Sequence, residues 1–168
     1  MNVNEALQAV NAWLGEHGVA ADEAPAPATP QALAALGGLG EVTADLSDFY
    51  SVQNGLPHWF ILYRTWQFLT LENALEVRQS LLRSTSHLPL EGRWQHSWLP
   101  VLTNNGGDYV FVDLGGGAVE FYSHLDGSRS PVSDGLPDLL GTLVNDLEDY
   151  RFVDEEPEYQ GGRAIGFS

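Results

Sequence analysis

The sequence predicts an α+β fold built on a largely antiparallel sheet, and three observations carry that reading. Residues 98–126 hold three runs rich in β-branched and aromatic residues with alternating polarity, separated by glycine-rich turns. Helical periodicity precedes, interrupts and follows the strand candidates, without the regular strand–helix alternation of a parallel sheet. At 168 residues and 43% hydrophobic content, the chain can bury about two thirds of its unfolded surface around one core. We read 1–168 as a single domain: an N-terminal helix and Ala/Pro linker over 1–30, a core over 30–150 and an acidic tail over 151–168.

Val3, Leu7, Val10 and Leu14, with Ala6 and Trp13, fall at helical spacing and predict a helix over residues 3–17, ended by Gly18. Pro25, Pro27 and Pro30 forbid a continuous helix through the Ala/Pro linker. Thr29-Pro30 is a helix start, an N-cap with proline at the first helical position, and Leu33 and Leu36 turn inward after it. Thr43 caps the next helix, over 43–53, with Leu46, Phe49, Tyr50 and Gln53 on one side. Asn54-Gly55 closes it, glycine supplying the left-handed conformation.

Residues 59–68 are dense in aromatics and read as one or two strands. Thr70 caps a helix from Leu71 to about Thr85, and residues 86–96 form a loop. The three strands follow over 98–102, 108–114 and 118–124, the last two joined at Gly115-Gly116-Gly117, where glycine takes φ > 0 at no steric cost. After the turn at Asp126-Gly127-Ser128, Arg129 to Val132 leads into a final helix capped by Ser133, with an apolar stripe from Leu136 to Leu147. The tail from Asp154 to Ser168 has little apolar content and is expected to be loose or to pack late.

Charge is the sharpest compositional fact. Against 23 acids stand seven arginines and no lysine, a formal charge of −16. Nucleic-acid affinity rests on cation–phosphate contacts, so this balance excludes a nucleic-acid ligand and disfavours anionic membranes. Acidity also serves plain solubility, and against that stands a basic protein partner met by electrostatic complementarity. With no cysteine there is no disulfide, thiolate metal site or thiol nucleophile. No apolar run reaches membrane-spanning length, the first residues lack the pattern of a signal peptide, and a cytoplasmic protein is the simplest expectation.

Chemistry is sparse. His17, His58, His87, His96 and His124 are scattered without metal-ligand spacing, and we expect no metal and no cofactor. The glycine clusters at 105–107 and 115–117 lead into strands rather than a helix N-terminus and carry no lysine, so they are turns and not phosphate loops. No nucleophile elbow is present. Asp108 and His124 lie at opposed ends of one hairpin and are the one pair placed for acid–base or metal work, although acids beside turns are routine. Most aromatics are core, and a remainder facing outward on the sheet would make a protein-binding face. Residues 146–158 hold seven acids against Arg151, a net of −6, at the end of an apolar helix where the dipole prefers cations.

Several segments in fixed order resemble the SUKH superfamily, which includes the Smi/Knr yeast cell-wall-assembly regulators and many bacterial immunity proteins. They are the helix around Leu46 to Tyr50 leading into Asn54-Gly55, residues 68–74 opening a helix, residues 98–101, residues 107–114 and residues 119–124. The resemblance spans about Pro30 to Leu147. The N-terminal helix, the linker and the tail after Tyr150 have no counterpart in it. Membership implies an α+β fold without a catalytic site and, in bacteria, most often a protein that binds and blocks a toxin, commonly a nuclease. The yeast relatives are regulators, so the fold leaves the partner open. The expected function is therefore non-catalytic binding of a basic protein partner. Its expected contacts are Asp108, Asp113, Glu120 and Asp126 around the meander and Asp146, Glu148 and Asp149 on the last helix. A regulatory scaffold, or a hydrolase or metal enzyme using Asp108 and His124, is the alternative.

Overall fold

The computed structural model describes residues 1–165. Asn2 opens α1 (Val3–Glu16) with a capping box: its side chain accepts from the Glu5 amide while the Glu5 carboxylate accepts from the Asn2 amide, both at 2.9 Å. Val3, Ala6, Leu7, Val10 and Leu14 form its buried face. Thr29 caps α2 (Pro30–Gly37) and Thr70 caps α4 (Leu71–Ser84), each through its side chain. Between them, α3 (Ala44–Val52) stops because Gln53 turns extended; Gly55, at φ 90°, lies two residues further on. A Cβ on Gly55 would come within 3.4 Å of the Leu69 carbonyl and Phe68 Cβ, so glycine there lets two chain segments approach closely.

The Ala/Pro segment is a packed strap and not a free linker. After a 3₁₀ turn at Ala21–Glu23, the Ala28 amide donates to the Tyr50 carbonyl and the Asn54 amide to that of Ala26. Glu72 on α4 accepts from both the amide and the hydroxyl of Thr29. The prolines prevent a helix, and the extended backbone they leave is satisfied by its neighbours instead.

The sheet runs β1 (Gln67–Phe68), β2 (Trp98–Thr103), β3 (Tyr109–Asp113), β4 (Val119–Tyr122) and β5 (Arg129–Ser133), in chain order, with every pair antiparallel. The meander read from sequence is its centre, and a strand is added at each edge. Residues expected to lead into the last helix are β5. Ser133 is therefore no N-cap: its hydroxyl donates to the Gly135 carbonyl, and Gly135 takes the cap position before α5 (Leu136–Asp146). The aromatic run 59–68 is mostly not strand either. An isolated bridge joins Leu62 to Trp66 across a turn whose central residues, Tyr63 and Arg64, sit at φ 48° and 74°. Aromatic density there reported burial, since Phe60, Leu62, Tyr63 and Trp66 are all core.

Both faces of the sheet are covered. One packs on α1, α3 and α5 in a single apolar cluster reaching from Val3 to Ile165. On the other, Trp98, Phe111 and Tyr122 meet Trp94 from the 86–96 segment, with Leu81 and Leu82 of α4 beside them. Trp98 stacks on Phe111 at 4.3 Å, and the Tyr122 hydroxyl donates to the Gly92 carbonyl at 2.7 Å. Among the described residues the expected outward-facing aromatic surface on the sheet is thus covered, because the 86–96 segment closes over it.

The C-terminal segment is the largest departure from expectation. Tyr150–Val153 (β6) and Glu156–Tyr159 (β7) form an antiparallel hairpin, with Tyr150 and Tyr159 paired across it and buried. Phe152 stacks on His17 at the end of α1 (4.9 Å, 7° between planes). Alternate aromatics on one face supply the apolar content that a count over the whole tail conceals. The last three residues of that predicted tail lie outside the described residues. Among the described residues no helix is long and apolar enough to cross a membrane.

Candidate protein-binding surface

The acids of the meander are held by their own turns. Asp108 Oδ1 accepts from the His124 amide at 2.9 Å and lies 2.6 Å from His124 Nδ1, and Asp108 Oδ2 accepts from Asn104 Nδ2 at 3.1 Å. Burial pushes the Asp108 carboxyl up, but the hydrogen bonds from the His124 backbone and ring and from Asn104 outweigh it and hold the pKa below the usual value. The His124 ring packs on bare backbone: a Cβ on Gly107, at φ 99°, would lie 3.0 Å from it. The sequence-predicted pair therefore forms, as a clasp across the mouth of the β3–β4 hairpin. Asp113 Oδ1 accepts from the Gly115 amide at 3.1 Å, fixing the glycine turn. Asp126 accepts from the Ser128 amide at 2.9 Å, and its hydrogen bonds to Ser128 hold its pKa low. Glu120 pairs with Arg129 at 3.4 Å, and that guanidinium lies over the Trp98 ring, 4.9 Å from its centroid.

Asp146, expected as a surface contact, is buried. Its side chain is 8% exposed, and it accepts from the Tyr63 hydroxyl at 2.7 Å and pairs with Arg163 Nε at 3.0 Å. It faces inward because the Tyr63 turn on one side and the C-terminal segment on the other supply the donors a buried carboxylate needs. Burial first, and the bond to Asp146 next, push the Tyr63 phenol far above its ordinary value. The apparent conflict with the helix dipole dissolves: this carboxylate anchors the segment after β7 and is no contact surface. Glu148 and Asp149 are exposed as expected, on a 3₁₀ turn (Leu147–Asp149) that follows α5 directly.

Four further acids come together that the sequence reading left in the linker and the tail. Asp154, Glu155 and Glu156 at the tip of the β6–β7 hairpin face Glu23 across an open groove of 640 Å³, lined also by His17, Val19, Trp59 and Phe152. A second depression of 360 Å³ shares Trp59 and Glu156 and continues to Arg64, Glu158 and Tyr159. The turn places Asp154 and Glu155 at φ 49° and 69°, a mirror-image hairpin turn made without glycine. Its missing Asn-Gly signal is why the hairpin was illegible in the sequence. Among the described residues, none of Glu23, Asp154, Glu155 and Glu156 has an ion pair or a side-chain hydrogen bond. The arginines do not reach them. Arg64, Arg78, Arg93 and Arg151 donate to backbone carbonyls, and the arginine–carboxylate pairs among the described residues are Arg129–Glu120 and Arg163–Asp146.

Residues 41–142 match the family model described as the SMI1 / KNR4 family (SUKH-1). The chain belongs to that family. No curated protein matches it. The SUKH-1 region runs from just before α3 into α5 and takes in the whole five-stranded sheet. Outside it lie α1, the strap and the β6–β7 hairpin, so of the residues lining the larger groove Trp59 alone falls within the SUKH-1 match. Among the described residues, no three His, Asp or Glu side chains cluster in a way that would hold a metal ion. The Asp108–His124 pair has its carboxylate already engaged by the His124 amide and Asn104.

Proposed function

We propose that this SUKH-1 chain is a non-catalytic protein-binding domain that acts as an immunity protein in the cytoplasm, neutralising a basic, nuclease-type toxin domain. The observation that carries the reading is where the negative charge goes unanswered. After Leu147 the acids Glu148, Asp149, Asp154, Glu155, Glu156 and Glu158 are all exposed and none is paired with an arginine among the described residues, and with Arg151 and Arg163 this segment carries −4 of the chain's −16. A nuclease must present cations to its substrate, and an acidic surface competes for them while accelerating encounter. Asp126 is exposed at the β4–β5 turn, where its carboxylate accepts from the Ser128 amide. The oxygens of Asp108, Asp113 and Glu120 are engaged locally as well.

The test is affinity capture from native cytoplasm with the tagged full chain at low and high salt, followed by assay of any retained protein. A basic toxin retained at low salt and silenced by stoichiometric addition of this chain supports the proposal. Retention of a partner whose activity is unaffected moves the protein to the regulatory side of the family.

A further inference from the structure

Among the described residues stand one complete acid–tryptophan–arginine arrangement and one that lacks its cation. In the complete one, Arg129 lies over the Trp98 ring at 4.9 Å and pairs with Glu120 at 3.4 Å. In the groove, half-buried Trp59 stands with Glu156, and Asp154, Glu155 and Glu23 add three more carboxylates. Arg64, which lines the adjoining depression, is committed to the Tyr159 and Gly161 carbonyls. We propose that this groove docks an arginine-bearing segment of a basic protein partner, the guanidinium stacking on Trp59 and bridging the carboxylates of the hairpin tip.

The chemistry favours arginine over other occupants. A guanidinium is planar and weakly hydrated, so it stacks on an aromatic face while its edge donates to a carboxylate, which an ammonium does less well. Val19, Trp59 and Phe152 in the lining are half-buried while its four acids are exposed, matching the two halves of an arginine side chain, stem and head. At 640 Å³ it holds more than one side chain, which fits a short segment rather than a lone residue. An acidic or phosphate-bearing ligand is repelled by four carboxylates. Apart from Trp59, the groove's lining lies outside the SUKH-1 match, so it concerns what distinguishes this chain's partner. The inference rests on the protein-binding reading above and narrows it to one place and one kind of side chain.

The experiment titrates an arginine hexapeptide, with lysine and glutamine hexapeptides alongside, into the isotope-labelled full chain and follows amide and indole NMR signals. The expected result is a localised shift set at the Trp59 indole and the 152–156 amides, larger for arginine than lysine and absent for glutamine. Glu23→Gln, Glu155→Gln and Glu156→Gln combined should weaken it about tenfold or more, and Trp59→Leu, which keeps apolar bulk, should abolish the preference of arginine over lysine. A control neutralising Glu41, Asp45 and Asp48, exposed acids elsewhere, should leave it unchanged; folding of each variant is read from the same spectra. Shifts spread over every acidic surface, or equal effects of the groove and control variants, overturn the proposal. A toxin captured and silenced equally well by the groove variant also overturns it, while the protein-binding function stands. Failure of capture by every form would instead count against the broader function.

Discussion

Asp108 on the meander and Glu155 on the C-terminal hairpin both sit beside tight β-turns on the same acidic protein, and they differ in what surrounds their oxygens. Asp108 accepts from the His124 amide and from Asn104 and lies against the His124 ring; Glu155 has no side-chain partner among the described residues and occupies a backbone conformation (φ 69°) that glycine would adopt more cheaply. The first acid holds its turn together, and the second sits in its turn at a cost. The contrast teaches that charge counted along a sequence does not say which carboxylates are free to meet a partner. Local donors decide that. Asp146 makes the same point from the interior, where a carboxylate in an acidic run is a buried anchor.

Substitution should separate the two kinds of acid, and the anchor gives the largest effect. Asp146→Ala orphans the buried Tyr63 hydroxyl and releases Arg163, so urea unfolding should show a loss of about 1–3 kcal/mol; Glu148→Ala, two residues away and exposed, should stay within about 0.5 kcal/mol. Next, Asp108→Ala removes the acceptor at the β3–β4 mouth and should lower stability by about 1–2 kcal/mol, with faster hydrogen exchange at the His124 amide. Glu155→Gly should change sign: relief of a left-handed residue, worth about 1–2 kcal/mol, exceeds the added flexibility of glycine, so the melting temperature rises slightly. An equal loss at Asp108 and Glu155 would erase the distinction.

The smallest effect is in acid. The folded-state pKa of Asp108 is lowered, so its stabilising contribution is complete above the ordinary carboxyl value near pH 4 and disappears as pH falls through the lowered one. Glu72, where burial is outweighed by hydrogen bonds from Asn54 and Thr29, behaves in the same sense. Acid unfolding of Asp108→Asn should therefore be shallower than that of the native chain below about pH 4.

How much of this was legible beforehand follows from which signals are local. The caps at Thr29 and Thr70, the α1 stripe and the three central strands all announce themselves within a few residues, and the structure has them. The Asp108–His124 pair was legible because a hairpin's register fixes opposed ends. What failed was non-local. Nothing near Asp146 reveals that Tyr63 and Arg163 come to meet it, nothing near Trp59 reveals Glu156, and Asp154-Glu155 is an unusual pair for a mirror-image turn. Residues 59–68 misled in another way, since aromatic richness signals burial as readily as strand.

The central claim, that the unpaired acids of the hairpin and groove and not the engaged acids of the meander meet a basic partner, is tested most directly by association kinetics. The captured partner would be mixed with the native chain, with a hairpin variant (Glu148→Gln, Asp149→Asn, Glu155→Gln, Glu156→Gln) and with a meander variant (Asp113→Asn, Glu120→Gln, Asp126→Asn) over a range of salt. The account predicts that the hairpin variant associates more slowly with a flattened salt dependence, while the meander variant keeps both the native rate and its slope to within about twofold. Equal losses in the two variants, or a loss confined to the meander variant, would contradict it.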